Sequence, residues 1–384
     1  MMYKRFILKR IAYLLISVLL VGCGQTKKDE FMALDMSKSY PEKQLMLQDF
    51  IDVEYVALET SEEFLTRGQV GDVGKEYIVV TNNYDEGDIF LFDRHTGRGL
   101  RKINHLGQGP GEYSQVLGLV LDEKNKELFV NDPGSKKIHV YDLEGVFKRS
   151  LDYPEGKQFF NVLDFDEDHL IAYNIDGLFN DGAERGDKTF HTLFSKHDGS
   201  ITEDIYIPFD NINAPVVNQD GIYAISILNT IDRYKDGMLI SDTSSDTVYF
   251  YSQARTLEPF MAKAPTTGTD YFITMGTMTE RYIFIQITKK EFSGRGFPTS
   301  ALMYDRQEKA LYNPNVKNAD YMDGEQVNFL YNPLNKKEIA AIELYEAGDL
   351  VEALENGELS GPLKELATKL KDDDNPVVML MKEK

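Results

Sequence analysis

Val116-Leu-Gly-Leu-Val-Leu-Asp-Glu-Lys-Asn-Lys-Glu-Leu-Phe-Val-Asn-Asp-Pro-Gly-Ser-Lys-Lys-Ile-His-Val-Tyr-Asp-Leu-Glu-Gly-Val-Phe-Lys-Arg-Ser-Leu151 reads as four short strands joined by three tight turns. The apolar run Val116 to Leu121 gives way to a charged turn, Asp122 to Glu127. Leu128 to Asn131 is a second strand, and Asp132-Pro-Gly-Ser-Lys136 supplies the residues that favour a turn through fixed φ, positive φ or side-chain capping. Ile138-His-Val-Tyr-Asp142 alternates its faces as a strand must. Leu143-Glu-Gly145 then turns into Val146 to Leu151. Strands joined this tightly can pair only with their sequence neighbours, giving a four-stranded antiparallel meander.

The same pattern recurs along the chain. Upstream it is Tyr77-Ile-Val-Val80, Asp88-Ile-Phe-Leu-Phe-Asp93 and Leu100-Arg-Lys-Ile103, and Tyr141-Asp142 follows Phe92-Asp93 by 49 residues. Downstream the third strand returns as Thr192-Leu-Phe-Ser195, Thr247-Val-Tyr-Phe-Tyr251 and Ala301-Leu-Met-Tyr-Asp305. A period near 50 with aromatic-Asp third strands predicts an all-β, six-bladed β-propeller; a β-sandwich holds fewer meanders. The sixth blade draws on both ends of the chain, with Val327 to Leu330, Glu338 to Leu344 and Val377 to Met381 as its inner strands and Val53 to Leu58 as its outer one. Leu350 to Leu354 and Leu363 to Leu370 read as short amphipathic helices inserted near the C-terminus.

Ahead of the propeller, Lys4, Arg5, Lys9 and Arg10 precede the uncharged run Ile11 to Gly22, the order of a secretory signal. Leu20-Val-Gly-Cys23 resembles the lipobox of bacterial lipoproteins, and Cys23 is the only cysteine of 384 residues. The expected organisation is a signal peptide over 1–22, a lipidated Cys23 with a flexible tether over 23–45, and the propeller over 46–384. Lys28-Asp29-Glu30 resembles a surface-export signal, though a solvated linker is the better reading. The expected location is the outer membrane, facing the periplasm or the outside. The net charge of −21 disfavours nucleic acid, which needs a basic face.

Tyr55-Val-Ala-Leu-Glu-Thr60, Leu106-Gly-Gln-Gly-Pro-Gly-Glu-Tyr113, Asp236 to Tyr249 and Asp374-Asn-Pro-Val377 resemble the six-bladed β-propeller lipoproteins of Bacteroidota, a family NHL-like in shape. The resemblance implies the fold and brings no catalytic residues with it.

No serine elbow, HExxH or zinc pattern is present. Gly107-Gln-Gly-Pro-Gly111 lacks the strand-then-helix context of a dinucleotide loop and reads as a rigid turn between blades. Asp164-Phe-Asp-Glu-Asp168 imitates a calcium loop but places His169 where glycine belongs and Ile175 where glutamate belongs, so a hairpin turn is favoured; Asp242, Ser244 and Asp246 read likewise. The sequence identifies no cofactor, and a divalent cation such as calcium stays open. His191 and His197 flank a short strand and are expected to be exposed.

In a propeller, the loops from strand D to the next A and from B to C share one face. Here the irregular stretches 82–87, 104–115, 174–188, 208–221, 288–299 and 346–375 fall in those two classes. Long loops in compact domains carry function, which makes Gln108, Glu112, Tyr113, Phe179, Arg185, Arg295 and Phe297 the candidate contacts. The expected function is a binding or scaffold module for an envelope protein, peptide or glycan; the alternative is a metal-dependent hydrolase or lyase at the channel mouth. The anchor is directly testable: wild-type protein should take up labelled fatty acid, and Cys23→Ala should take up none.

Overall fold

A computed structural model describes residues 32–82, 86–219, 221–264 and 270–384. Cys23, the signal segment and Lys28-Asp29-Glu30 lie outside them. Six antiparallel sheets follow one another round a ring as a six-bladed β-propeller, with strands labelled A to D from the centre outward. Blade 1 is Gln69–Val73, Tyr77–Thr81, Ile89–Asp93 and Gly99–Ile103. Blade 2 is Gly118–Asp122, Glu127–Asp132, Lys137–Asp142 and Phe147–Asp152. Blade 3 is Phe159–Asp164, His169–Asn174, His191–Ser195 and Ile201–Ile205. Blade 4 is Ile231–Tyr234, Gly237–Ile240, Thr247–Ser252 and Leu257–Lys263. Blade 5 is Tyr271–Met278, Tyr282–Lys289, Thr299–Asp305 and Ala310–Asn318.

Hydrophobic packing lies between blades. Each of the six junctions has its own buried cluster: Phe90, Phe92, Val378 and Leu380 join blades 6 and 1, for example, and Phe129, Val140, Leu170 and Phe194 join blades 2 and 3. Sheets stacked this way bury both faces, which is why strand B of blade 2 is buried at all six positions and its centre, Leu128 to Val130, runs apolar instead of alternating.

The recurring aspartate after each aromatic has a local cause. At the end of strand C its carboxylate accepts the N–H groups of the C–D turn: Asp93 from His95 and Thr96 (3.1 and 2.8 Å), Asp142 from Glu144 and Val146 (3.0 and 2.8 Å), and Asp305 from Gln307 and Glu308 (2.9 and 3.1 Å). In blade 3 the Ser195 hydroxyl takes this place, accepting from His197 at 3.1 Å. Gly97 completes the first of these turns at φ 71°, and a Cβ there would meet the Ala57 carbonyl at 1.9 Å.

Blade 6 is three-stranded: Ala341–Tyr345, Val377–Glu383 and, from the start of the domain, Ile51–Ala57, paired from Val377↔Ala57 to Glu383↔Ile51. The strand expected at Val327 to Leu330 does not form. Its groups are committed elsewhere: Val327 N–H donates to Val316, and the Phe329 carbonyl accepts from the Thr277 N–H and hydroxyl at 2.8 and 3.0 Å. Pro333 has no N–H to add to a ladder. Val327 and Phe329 still fill the blade 5–6 core.

The tether also ends earlier than expected. Met32–Leu34 adds a parallel strand to the outer edge of blade 4, and Glu42–Met46 does the same for blade 5, fastened by Lys43 to Asp305 (2.8 Å) and Glu308 (2.6 Å). Parallel addition to a distant strand needs no turn, so no turn signal marks it. Helices α1 (Ala347–Glu355) and α2 (Gly361–Ala367) pack on blade 6 through Leu350 and Leu363, both fully buried. The 346–375 insertion therefore serves the core in addition to joining B to C. No helix among the described residues is long and apolar enough to cross a membrane.

Truncations rank these strands. Removal before Met32 should leave the melting temperature unchanged. Removal through Met46 should lower it while the transition stays cooperative, and removal through Ala57 should abolish the transition in circular dichroism.

Candidate binding face

Loop 104–115, between blades 1 and 2, is braced from within. The Tyr113 hydroxyl donates to the Gly87 carbonyl at 2.6 Å and accepts the His105 N–H at 2.9 Å, while Tyr141 donates to the Gly111 carbonyl at 2.6 Å. Tyr113 is thus fully buried and is a strut, not a ligand contact, because the loop needs its ring and hydroxyl to hold shape. Glu112 is exposed but accepts the Gly109 N–H at 2.7 Å. Gln108 is exposed on the rim of a cleft of about 620 Å³, which the loop forms with Ser135, His139, Phe147 and Arg149 of blade 2.

In blade 3 the B–C loop and the following D–A segment are laced together by backbone bonds Arg185→Asp210 (2.9 Å), Gly182→Ile212 (2.8 Å) and Ile212→Ala183 (2.8 Å). Arg185 lies over the Tyr206 ring, 3.9 Å from its centroid, and donates to the Tyr206 hydroxyl at 2.5 Å. Phe179 is 63% exposed, Tyr206 55% and Tyr223 58%, with Ile227 at 46% beyond them. Tyr206, Tyr223 and Ile227 escape sequence reading because an aromatic or isoleucine in a strand-like run reads as core; the available signal is Gly221 between the short strand-like runs Val216–Gln219 and Ile222–Ile225. In blade 5, Arg295 is exposed and Phe297 packs edge-on against Phe292. The structure does not join these two residues to the blade 3 ledge by any contact.

Loops of three blades meet across this face. Lys290 of blade 5 donates to Asp181 (2.9 Å) and Asn213 (2.9 Å) of blade 3, and Asn213 N–H donates to Ser244 of blade 4 (3.0 Å). Beneath them His191 is fully buried, contrary to expectation, because it is the first residue of a strand C covered on both sides. Its Nε2 lies 3.2 Å from the Thr230 hydroxyl and its Nδ1 3.5 Å from Asp242. Burial pushes the imidazole down to about 3 and the Asp242 carboxyl up to about 6. His197 is exposed, as expected.

At the opposite mouth, inner strands of blades 1 to 3 end in Asp72, Asp122 and Asp164. Lys196 pairs with Asp122 (2.8 Å) and Asp164 (2.6 Å), and Lys336 with Asp72. Asp164 to Asp168 forms a hairpin turn in which Asp166 accepts the Asp168 and His169 N–H groups at 2.9 and 2.8 Å. No three His, Cys, Asp or Glu side chains are grouped as a metal site needs among the described residues.

The sequence matches, over residues 33–382, the model of a family described as a domain of unknown function, DUF4934. The chain belongs to this family. It is similar in fold to a "Putative exported protein" from Bacteroides fragilis, at 13% identity and a TM-score of 0.59, covering 92% of this chain and 100% of that one. A member of the duf4221 family from Bacteroides vulgatus matches at 12% identity and a TM-score of 0.46, covering 69% of this chain and 86% of that one. No curated protein matches the chain in sequence. The expected kinship with Bacteroidota propellers holds for family and fold.

The raised Asp242 gives a pH signature. A carboxyl whose folded pKa lies above its unfolded value adds stability below about 4 and loses it as pH rises through about 6. The depressed His191 acts oppositely but is common to wild type and variant. Asp242→Asn should therefore gain on wild type between pH 4 and 7, by at most about 3 kcal/mol, in paired urea melts.

Proposed function

We propose that the chain is a cell-envelope binding module, held at the outer membrane by a lipid on Cys23, that takes its partner on the long-loop face. The observation that carries this is the ledge of Phe179, Tyr206, Tyr223 and Ile227, exposed on neighbouring loops and stiffened by the Arg185–Tyr206 stack. Exposed aromatics are enriched where proteins bind, because rigid rings bury large area at small entropic cost. Tyrosine with arginine suits the faces of a sugar or the side chains of an extended peptide. The direction of entry fits this reading. Met32–Leu34 runs parallel to strand D of blade 4, hence towards the long-loop face, so Met32 itself lies towards the opposite side. Nine residues from Cys23 reach at most about 30 Å, which would turn the ledge away from the membrane.

Hydrogen exchange against glycan and envelope-peptide panels should show protection in segments 174–188 and 206–227. Arg185→Ala with Tyr206→Ala should weaken binding at least tenfold without changing the melting temperature. Protection confined to the short turns 122–127 and 143–146 would refute the assignment.

A further inference from the structure

The short-turn mouth is polarised. Against the carboxylates of blades 1 to 3, blades 4 to 6 set a cleft of about 570 Å³ lined by Arg233, Lys235, Arg306, Lys336, Lys337 and Lys384, with Glu280 and Glu383 as its acidic residues. On a chain of net charge −21 this is a local inversion of sign, and a cleft lined by one sign focuses its field on ligands of the other.

The cleft is braced without a ligand. Asn335 accepts the Met278 N–H at 2.8 Å and donates to the Gly276 carbonyl at 3.1 Å, fixing the blade 6 turn to blade 5. Lys336 ties that turn to Asp72 and the Val73 carbonyl of blade 1. Arg306 spans from blade 5 to the Tyr234 hydroxyl of blade 4 at 2.5 Å. These cations are spent on structure, but Arg233 and Lys337 are not. Neither side chain has a hydrogen bond or a close ion pair among the described residues; Arg233 does lie within electrostatic reach of Asp72 and Asp164, but Lys336 and Lys196 already pair those carboxylates. Asp232, beside Arg233, does not neutralise it, since full burial drives that carboxyl well above the usual range towards its uncharged form. Tyr234 and Met278 supply apolar wall.

We propose that this cleft binds a phosphate-bearing organic molecule, with Arg233 and Lys337 taking the phosphate and Tyr234 and Met278 taking the remainder. A guanidinium engages phosphate through two parallel N–H donors, and a doubly charged group answers two unspent cations better than a single carboxylate does. The phosphate is either that of a soluble metabolite or a lipid headgroup, for the same mouth faces the side towards which Met32 lies.

Calorimetry on the full-length protein at low salt tests this with glucose 6-phosphate against glucose, and dihexanoyl phosphatidic acid against dihexanoyl phosphatidylcholine. At least one phosphomonoester should bind where its uncharged or zwitterionic counterpart does not, and the tighter of the two identifies the source. Arg233→Gln and Lys337→Glu should each weaken it about tenfold, with partial recovery in Arg233→Lys. Lys337 is exposed, so that variant remains a fair test should Arg233→Gln fail to fold. Binding no better than the counterparts, or undiminished in Lys337→Glu, overturns the proposal. Neither result bears on the long-loop face, whose exchange readout is separate.

Discussion

A ring of sheets is stable only when its last sheet meets its first, and in this chain that meeting is the ladder between Ile51–Ala57 and Val377–Glu383. Every other junction joins blades adjacent in sequence, so its cost in chain entropy is modest. The closing ladder joins residues more than 300 apart, and only the burial on either side of it can offset so long a loop closure. Both of its strands feed that burial: Val56, Val378 and Leu380 pack towards blade 1, while Ile51, Met379 and Met381 pack towards blade 5 and the helices. Because the N-terminal strand is the outer one, the edge that a sheet would otherwise expose lies beneath α2, and the usual hazard of an open edge is reduced.

Closure also explains the charges at the axis. Strand ends converge at the channel mouth, where the Asp72 and Asp122 side chains are almost wholly withdrawn from water. Charged carboxylates there need partners, and Lys196 from the C–D turn of blade 3 and Lys336 from the turn preceding Ala341–Tyr345 of blade 6 supply them. A buried ion pair contributes little net stability but penalises any arrangement that separates it. These pairs act as registration pins between blades 2 and 3 and between blades 6 and 1.

What could be read from the sequence was whatever repeats locally. Phe92-Asp93, Tyr141-Asp142 and Tyr304-Asp305 announce blades because one residue packs between sheets and the next caps a turn. The outer strand at Val53 to Leu58 was recoverable from the deficit it filled. What escaped notice depends on partners far away in sequence: Met32–Leu34 and Glu42–Met46 are strands only because blades 4 and 5 offer an edge, and Val327 to Leu330 fails to be one because Thr277 and Val316 claim its backbone. The candidate site divides the same way. Loop positions place Gln108, Phe179 and Arg185 on the long-loop face, but exposure is a property of packing, so the burial of Tyr113 and His191 and the exposure of Tyr206 and Tyr223 cannot be read from local sequence.

The two faces differ because of turn chemistry. On one, the C–D turns of blades 1, 2, 3 and 5 are closed by a carboxylate or hydroxyl that accepts two N–H groups, and the A–B turns of blades 1 to 3 start from paired aspartates; an insertion there would break caps or strand buried charge. On the other, the B–C connections also open on a side-chain cap, Asp132 accepting from Gly134 and Ser135 and Asp242 from Ser244, but the chain beyond the cap and in the D–A connections can lengthen at small entropic cost. The long-loop face can therefore change its outline by insertion, whereas the cations of the short-turn mouth sit on turns whose length is tied to these caps and ion pairs. A site on turns of fixed length suits a small ligand of fixed chemistry, and a site on extensible loops suits a partner of larger and more varied outline.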